Sequence, residues 1–124
     1  MRILVIDDEQ MIRALAEKIL SRAGHEVLLA ESGHEGVGLF GEQSGDIDLA
    51  IVDFFMEGMS GIETLRNLRN ISPDLPCLMS SGHTDSPKDL PNELQTKVEF
   101  LQKPYRANDL VEKIEDMCNT YCRQ

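Results

Sequence analysis

The sequence predicts a single α/β domain in which a doubly wound parallel β-sheet carries helices on both faces. Short apolar runs of strand length alternate along the chain with amphipathic segments of helix length, and this alternation is typical of βα units. The run at residues 3–6 is short and wholly apolar, as expected for a strand that is buried on both faces. The length of 124 residues allows one hydrophobic core, so we expect one domain over residues 1–124.

The first half of the chain predicts two strands and two helices. Apolar runs at residues 3–6 and 26–30 predict the strands. Apolar residues recur at helical spacing over residues 12–23, which predicts the first helix. Residues 33–43 predict the second helix, although it contains several glycines. Each interior glycine costs about 1 kcal/mol relative to alanine, so we expect this helix to be the least stable of the regular ones.

The second half of the chain continues the pattern. Residues 49–52, 76–80 and 98–102 predict three further strands. Helical spacing over residues 61–71 predicts a helix that ends before a Ser-Pro pair. A last helix begins near Asn108. We expect the parallel strands to be joined by right-handed crossovers.

Residues 84–97 interrupt this alternation. Pro87 and Pro91 fall in the segment where the fourth of five helices is expected. Proline removes a backbone donor, and its ring clashes with the preceding helical turn. We therefore predict that the fourth helix is short, displaced or irregular.

The formal charge of −10 comes from 12 basic and 22 acidic residues. It argues against binding to nucleic acid or to a membrane surface, because both need basic patches. No apolar run approaches the ~20 residues of a membrane span, and no signal-peptide pattern is present, so we expect a cytoplasmic location. The cysteines, including Cys122, and the histidines, including His83, are not spaced as a zinc site. We expect free, reduced thiols.

Polar side chains follow the predicted strands at the points where these end. Asp7 and Asp8 follow the first strand and Asp53 the third, Ser80 closes the fourth, and Lys103 follows the fifth. Open parallel sheets build their sites at the carboxyl ends of the strands. If the central strands are neighbours, three carboxylates, a hydroxyl and an ammonium meet at one edge.

Three carboxylates at one edge need a cation. Two like charges 4 Å apart repel by about 4 kcal/mol at an effective dielectric near 20, and clustered carboxylates raise one another's pKa values. Mg²⁺ binds a few carboxylates together with water and a phosphate oxygen. A magnesium ion would relieve the repulsion and leave an open position for a phosphoryl oxygen.

The same side chains suit phosphoryl transfer. This reaction needs charge stabilisation on the equatorial oxygens more than it needs acid–base catalysis. The metal ion, Lys103 and Ser80 could each contact one of these oxygens. Asp53 lies between the acid pair and the lysine in the expected strand order, and it can act as a nucleophile that forms an acyl phosphate.

Each of these residues also has an ordinary structural explanation. Asp7 and Asp8 could cap the first helix, Ser80 could be a turn residue, and Lys103 could be a solvated surface lysine. Their combination at successive strand ends favours a functional interpretation.

Four motifs taken together resemble the response-regulator receiver domain of two-component signalling. They are Asp7-Asp8-Glu9, then Asp53 followed by Met56, Met59 and Gly61, then Ser80-Ser81-Gly82, and finally Lys103-Pro104-Tyr105. The match spans the full chain in the order and spacing of the family. The resemblance implies a flavodoxin-like fold with strand order 2-1-3-4-5. Among receivers, residues 80–83 and 100–104 look most like those at the C-terminus of hybrid histidine kinases.

The resemblance implies a phosphate acceptor and a set of metal ligands. Asp53 would accept a phosphoryl group from a histidine kinase or a histidine phosphotransfer protein. Asp8 and Asp53 would bind Mg²⁺ directly, together with the main-chain carbonyl of Phe55. Asp7 would act through water, and Mn²⁺ could replace Mg²⁺.

The resemblance also implies a switch. Lys103 would contact the phosphoryl group, Ser80 would be the switch hydroxyl, and Phe100 would be the switch aromatic residue. The domain would catalyse its own phosphorylation and dephosphorylation without acting on external substrates. A homodimer, where one forms, would use the face of the fourth and fifth elements.

Three positions depart from the family pattern. Glu57 stands where the family usually has proline, so that loop should be less rigid and more acidic. Phe55, two residues after Asp53, is apolar, and Gly82, two residues after Ser80, has no side chain. Receivers that lose phosphate quickly tend to have polar groups at these two positions, so we expect a long-lived acyl phosphate.

Two other functions share parts of this pattern. A Mg²⁺-dependent phosphatase of the aspartyl-phosphate type resembles the chain in fold and nucleophile. Such an enzyme needs a second acid where this chain has Phe55, and usually a cap domain. A pseudo-receiver that serves only as an interaction module generally loses an acid or the lysine, and this chain keeps them.

Overall fold

The computed structural model describes residues 1–43, 46–82 and 86–121, and over these ranges the chain forms a five-stranded parallel sheet with four α-helices. The expectations for His83, for Cys122 and for the start of the segment 84–97 concern residues outside these ranges.

The strands of the sheet follow the order β2-β1-β3-β4-β5, and every neighbouring pair is parallel. Their bounds are β1 Arg2–Ile6, β2 Glu26–Ala30, β3 Leu49–Asp53, β4 Cys77–Ser81 and β5 Val98–Gln102. The predicted order 2-1-3-4-5 is therefore confirmed. The fourth strand begins one residue later than its apolar run, because Pro76 has no N–H to donate to the ladder, although its carbonyl accepts from the Ala50 N–H.

Helices cover both faces of the sheet, which confirms the doubly wound α/β architecture. Their bounds are α1 Gln10–Arg22, α2 Gly33–Gln43, α3 Gly61–Ile71 and α4 Ala107–Tyr121. Alternate residues of each buried strand face opposite sides: Ile3 and Val5 pack with α1 and α4, whereas Leu4 and Ile6 pack with α2 and α3. Among the described residues, none of the helices is both long and apolar enough to cross a membrane.

Two short 3₁₀ turns lie between β4 and β5, where the sequence predicted a short, displaced or irregular fourth helix, and this prediction is confirmed. They span Pro87–Asp89 and Asn92–Leu94. Leu90 and Leu94 are buried and join the core on the side of α2 and α3. The turns therefore supply apolar cover for β4 and β5 without a continuous helix.

A buried arginine anchors the ends of this irregular region. Arg69, on α3, donates through Nε to the Leu75 carbonyl at 2.9 Å. Its Nη2 donates to the carbonyls of Thr96 at 2.7 Å and Lys97 at 3.1 Å. These bonds satisfy carbonyl groups that precede β4 and β5, and hydrogen bonds to a charged group contribute about 1.5–3 kcal/mol each. Arg69 thus holds the entrances of two strands against α3.

The glycines of α2 have opposite environments. A Cβ added to Gly36 would lie 2.3 Å from Cδ1 of Ile6, which is a fully buried core residue. A Cβ added to Gly38 would meet nothing within 4 Å. Gly36 therefore lets the helix approach β1 closely, and this packing is a tertiary contribution that helix propensity does not include.

Alanine substitutions at these two glycines should have opposite effects on stability. Gly36→Ala should lower the free energy of unfolding by about 1–3 kcal/mol, because the added methyl group overpacks the core against Ile6. Gly38→Ala should raise it by about 0.5–1 kcal/mol, because an open helical site gains the lower backbone entropy of alanine. Urea unfolding of both variants measures the difference, and equal effects would contradict this account.

Candidate functional site

The carboxyl edge of the sheet brings polar side chains from separate strands side by side. Ile6 pairs with Val52 across β1 and β3, so the next residues along these strands, Asp7 and Asp53, are neighbours. Asp53 in turn pairs with Ser80 across β3 and β4. All three of these polar residues are at most 3% exposed. The sheet register therefore gathers two carboxylates and a hydroxyl in a nearly buried row.

The ammonium of Lys103 lies among three carboxylates. Its Nζ is 3.1 Å from Asp7 Oδ2, 3.0 Å from Glu9 Oε1 and 3.3 Å from Asp53 Oδ2. The lysine side chain is only 10% exposed, and its backbone N–H donates to the Ser81 carbonyl at 2.6 Å. A backbone bond at the end of β5 thus helps to hold one cation between acids that follow β1 and β3.

Hydrogen bonds order the acidic loop after β1. The Glu9 N–H donates to Asp7 Oδ1 at 2.9 Å, and Arg13 Nη1 donates to the Asp7 carbonyl at 2.7 Å. The Asp8 carboxylate is exposed, and its Oδ2 accepts from the Glu57 N–H at 3.4 Å. Asp8 is therefore connected to the loop after β3.

Four carboxylates at this edge have the chemistry of a divalent-cation site. One oxygen each from Asp7, Asp8, Glu9 and Asp53 lies within 4.8 Å of the other three. The donors are all hard oxygen atoms, which Mg²⁺ prefers to nitrogen or sulfur. The residues present therefore fit such an ion, with two buried and two exposed carboxylates.

Burial and the neighbouring charges shift the pKa values of Asp53, Lys103 and Tyr105. Burial, followed by the charge of Asp7, raises the pKa of Asp53 to about 7 against the opposing effect of Lys103. Burial alone would lower the pKa of Lys103, but hydrogen bonds to Glu9 and Asp7 and the nearby negative charges raise it above its ordinary value. Burial, followed by the charge of Asp7, raises the pKa of Tyr105 to about 12. Lys103 therefore stays charged, while burial and the charge of Asp7 together disfavour the ionised form of Asp53 more than Lys103 favours it.

The loop after β3 returns very close to Asp53. A Cβ on Gly61 would lie 2.5 Å from the Asp53 carbonyl oxygen, which leaves room only for glycine. Helix α3 begins there with a capping box, in which the Ser60 hydroxyl accepts from the Glu63 N–H and the Glu63 carboxylate accepts from the Ser60 N–H. The Phe55 N–H donates to Asp53 Oδ1 at 3.4 Å. The start of α3 thus fixes the loop beside the carboxylate.

Aromatic rings connect this loop to β5. The Phe54 and Phe55 rings lie 4.9 Å apart in an edge-to-face arrangement, and the Phe54 and Phe100 rings lie 5.6 Å apart at 66°. Such geometry is favourable for aromatic pairs. The half-buried Phe100 therefore contacts the residue that directly follows Asp53.

A cleft of about 370 Å³ opens over Asp53. Its lining residues combine charged and apolar side chains: Glu9, Ile12, Asp53, Phe55, Gly82, Lys103 and Pro104. The cleft gives a ligand direct access to the carboxylate and to the lysine.

The structure brings most of the sequence-predicted site residues together. Asp7, Asp53 and Lys103 are in contact, and Asp8 shares the acidic cluster. Ser80 lies beside Asp53 in the sheet register. Phe100, on β5, pairs with Met79 of β4, and its ring is linked to the site through Phe54.

Sequence reasoning missed three contributors. No role was predicted for Glu9, which binds Lys103 across 94 positions of the chain, for the Phe54 ring, or for the Glu57 N–H. The run of three acids at residues 7–9 is the sequence feature from which a role for Glu9 could have been predicted. The other two contacts depend on loop geometry that residue types do not encode.

Known proteins are similar in sequence to this chain. The family model described as the response regulator receiver domain matches residues 3–115. An uncharacterised transcriptional regulatory protein of Bacillus subtilis, YrkP, is 34% identical over 109 residues, which cover 88% of this chain and 46% of that protein. The sensor kinase CckA of Brucella abortus is 30% identical over 117 residues, which cover 93% of this chain and 12% of the kinase. The chain therefore spans less than half the length of these two relatives.

Solved structures share the fold over nearly the whole chain. A receiver domain from the hybrid histidine kinase CckA has a TM-score of 0.81 and 32% identity, covering 94% of this chain and 98% of that one. A response regulator receiver domain protein from Clostridium thermocellum has a TM-score of 0.85 and 35% identity, covering 96% of this chain and 94% of that one.

Removal of the Asp53 charge should stabilise the metal-free protein most at alkaline pH. The pKa of Asp53 is about 7 in the folded protein against an ordinary value of 3.8. The stability linked to its protonation is thus complete below about pH 4 and is lost as the pH rises through 7. Asp53→Asn should raise the free energy of unfolding by roughly 2 kcal/mol at pH 8 and by much less at pH 4. Urea unfolding in EDTA measures this, and equal increments at both pH values would contradict it.

Proline at position 57 should weaken Mg²⁺ binding more than alanine does. Both substitutions remove the acidic side chain of Glu57, but only proline also removes the N–H that donates to Asp8 Oδ2. We expect the Kd for Mg²⁺ to be about threefold higher for Glu57→Pro than for Glu57→Ala, because Asp8 loses an orienting bond. Calorimetric titration measures both values, and amide spectra check that the sheet is unchanged. Identical Kd values would rule out this role for the N–H.

Proposed function

The chain belongs to the response regulator receiver domain family, and from that premise we propose that it is a phosphorylation-controlled switch with Asp53 as the phosphate acceptor. Receiver domains work in two-component signalling with histidine kinases or phosphotransfer proteins. The observation that carries the proposal is the position of the Asp53 carboxylate, 3.3 Å from Lys103 and within the acidic cluster.

In the proposed reaction an oxygen of the Asp53 carboxylate attacks the phosphorus atom of the donor. The carboxylate is reachable through the cleft and is oriented by the Phe55 N–H at one oxygen and by Lys103 at the other. The ammonium of Lys103 is close enough to Asp53 to contact the negatively charged oxygens of the phosphoryl group after its transfer. Ser80, adjacent in the register, supplies a hydroxyl on the other side.

Mg²⁺, or Mn²⁺ in its place, would neutralise charge on the phosphoryl oxygens when bound. We assign direct ligation to Asp8, Asp53 and the main-chain carbonyl of Phe55, and a water-mediated contact to Asp7. The hard oxygen donors of the acidic cluster support this assignment. The raised pKa of Asp53 supports it as well, since burial and the charge of Asp7 disfavour the ionised carboxylate and Lys103 does not fully offset them.

Ser80 and Phe100 are proposed to transmit the phosphorylated state. The hydroxyl adjoins the acceptor in the sheet, and the ring is joined to the acceptor loop through Phe54. The surface that would report the change includes two 3₁₀ turns instead of a helix. We therefore propose an atypical output face, and any homodimer formed by the fourth and fifth elements would use this surface.

The wider setting is also a proposal. We assign residues 1–124 to one receiver domain that acts in the cytoplasm, receives phosphate from a histidine kinase or a histidine phosphotransfer protein, and does not itself bind nucleic acid or membranes. The net charge of −10 supports the last two points. Relatives include both a transcriptional regulator and a hybrid kinase, and residues 80–83 and 100–104 look more like the receivers of hybrid kinases.

Mass spectrometry can test the acceptor. Wild-type protein incubated with Mg²⁺ and phosphoramidate should gain one phosphoryl group, whereas Asp53→Asn should gain none. Omission of Mg²⁺ should slow the reaction at least tenfold, because the cation neutralises the phosphoryl oxygens. An adduct on the mutant, or none on the wild type, would defeat the proposal. Steady turnover of a phosphate ester by the wild type would instead indicate a phosphatase.

A further inference from the structure

The cleft over Asp53 has an apolar wall as well as a charged one. Glu9, Asp53 and Lys103 form the charged part, while Ile12, Phe55 and Pro104 line the rest. Phe55 is a large apolar side chain that is 57% exposed. Covering such a side chain is favourable by roughly 25 cal/mol per Å², so this wall suits a ligand with an apolar surface.

The Phe55 ring packs against a buried neighbour beside the acceptor carboxylate. Its edge-to-face partner, the Phe54 ring, is buried and lies 4.9 Å away. The backbone N–H of Phe55 donates to Asp53 Oδ1. A ring that is anchored at its backbone and by a buried neighbour can bind a flat group without losing much side-chain freedom.

We propose that the Phe55 ring contacts the imidazole ring of a phosphohistidine donor and makes the site select donors whose leaving group is an aromatic ring. This inference rests on the proposed function and names the donor chemistry that the same site prefers. Aromatic rings attract flat rings and cations, and N-phosphorylated imidazole protonated at its second nitrogen is both. The cleft volume of about 370 Å³ exceeds that of a phosphoryl group with one imidazole ring.

The chemistry of the step is balanced without any further reactant. A carboxylate oxygen of Asp53 forms a bond to phosphorus while the bond between phosphorus and the imidazole nitrogen breaks. The electron pair of that bond returns to the nitrogen. The second nitrogen keeps its proton, so the leaving group is neutral imidazole and the product is the acyl phosphate. The ring thus loses its positive charge as it departs, which weakens its attraction to Phe55 and favours release.

Two small donors can isolate the contribution of the ring. Phosphoimidazole and phosphoramidate both transfer phosphate from nitrogen, but only the first has an aromatic leaving group. The ratio of their second-order rate constants is measured with saturating Mg²⁺ by the mass increase of the protein. Phe55→Leu keeps an apolar side chain without a ring, and Phe55→Tyr keeps the ring. Both substitutions are at an exposed side chain, and circular dichroism checks the fold.

The ratio of phosphoimidazole to phosphoramidate rates should fall about three- to tenfold in Phe55→Leu and stay within twofold of wild type in Phe55→Tyr. A ratio that is unchanged in Phe55→Leu, or that falls equally in both variants, would overturn the inference. The rate of phosphate loss is measured separately, because Phe55→Leu also alters access of water to the acyl phosphate. If the wild-type protein gains phosphate from neither donor, the proposed function fails and the inference fails with it.

Discussion

The ammonium of Lys103 is the contact on which the acidic edge of this sheet depends. Asp7 and Asp53 are nearly buried side by side, and buried carboxylates repel strongly unless a cation lies between them. The lysine reaches both of them and Glu9. Its compensation is incomplete, because the pKa of Asp53 remains well above the ordinary value. The acidic edge of the sheet therefore has the negative charge and the oxygen donors that a second cation requires.

The remainder of the site supports this charge arrangement from the backbone. A glycine at position 61 lets the loop after β3 close onto Asp53, and amide groups of Glu9 and Phe55 donate to the buried carboxylates. These donors are fixed by the starts of helices rather than by flexible side chains. Preorganised donors of this kind stabilise charge without reorganisation during a reaction.

The sheet and the central residues could be predicted from sequence because each rests on a local signal. Asp7 and Asp53 directly follow apolar runs and Lys103 directly follows the predicted fifth strand, and parallel topology places the ends of strands at one edge. Two other features had no such signal. Gly36 was expected to weaken α2, yet it permits close packing on Ile6. Phe54 contacts Phe100 through ring geometry that residue spacing does not determine. Packing of this kind is decided by tertiary structure.

The anchoring of β4 and β5 by Arg69 has a consequence for how this fold can diverge. The guanidinium fixes the chain just before each of these strands, and the parallel pairing of β4 with β5 fixes the strands themselves. The 3₁₀ turns between the two strands contribute mainly two buried leucines. Insertions or deletions there need not disturb the register of the sheet, since loop length changes closure entropy only slowly. In evolution, this stretch can change its length and still leave the carboxylates and the lysine at the edge of the sheet in place.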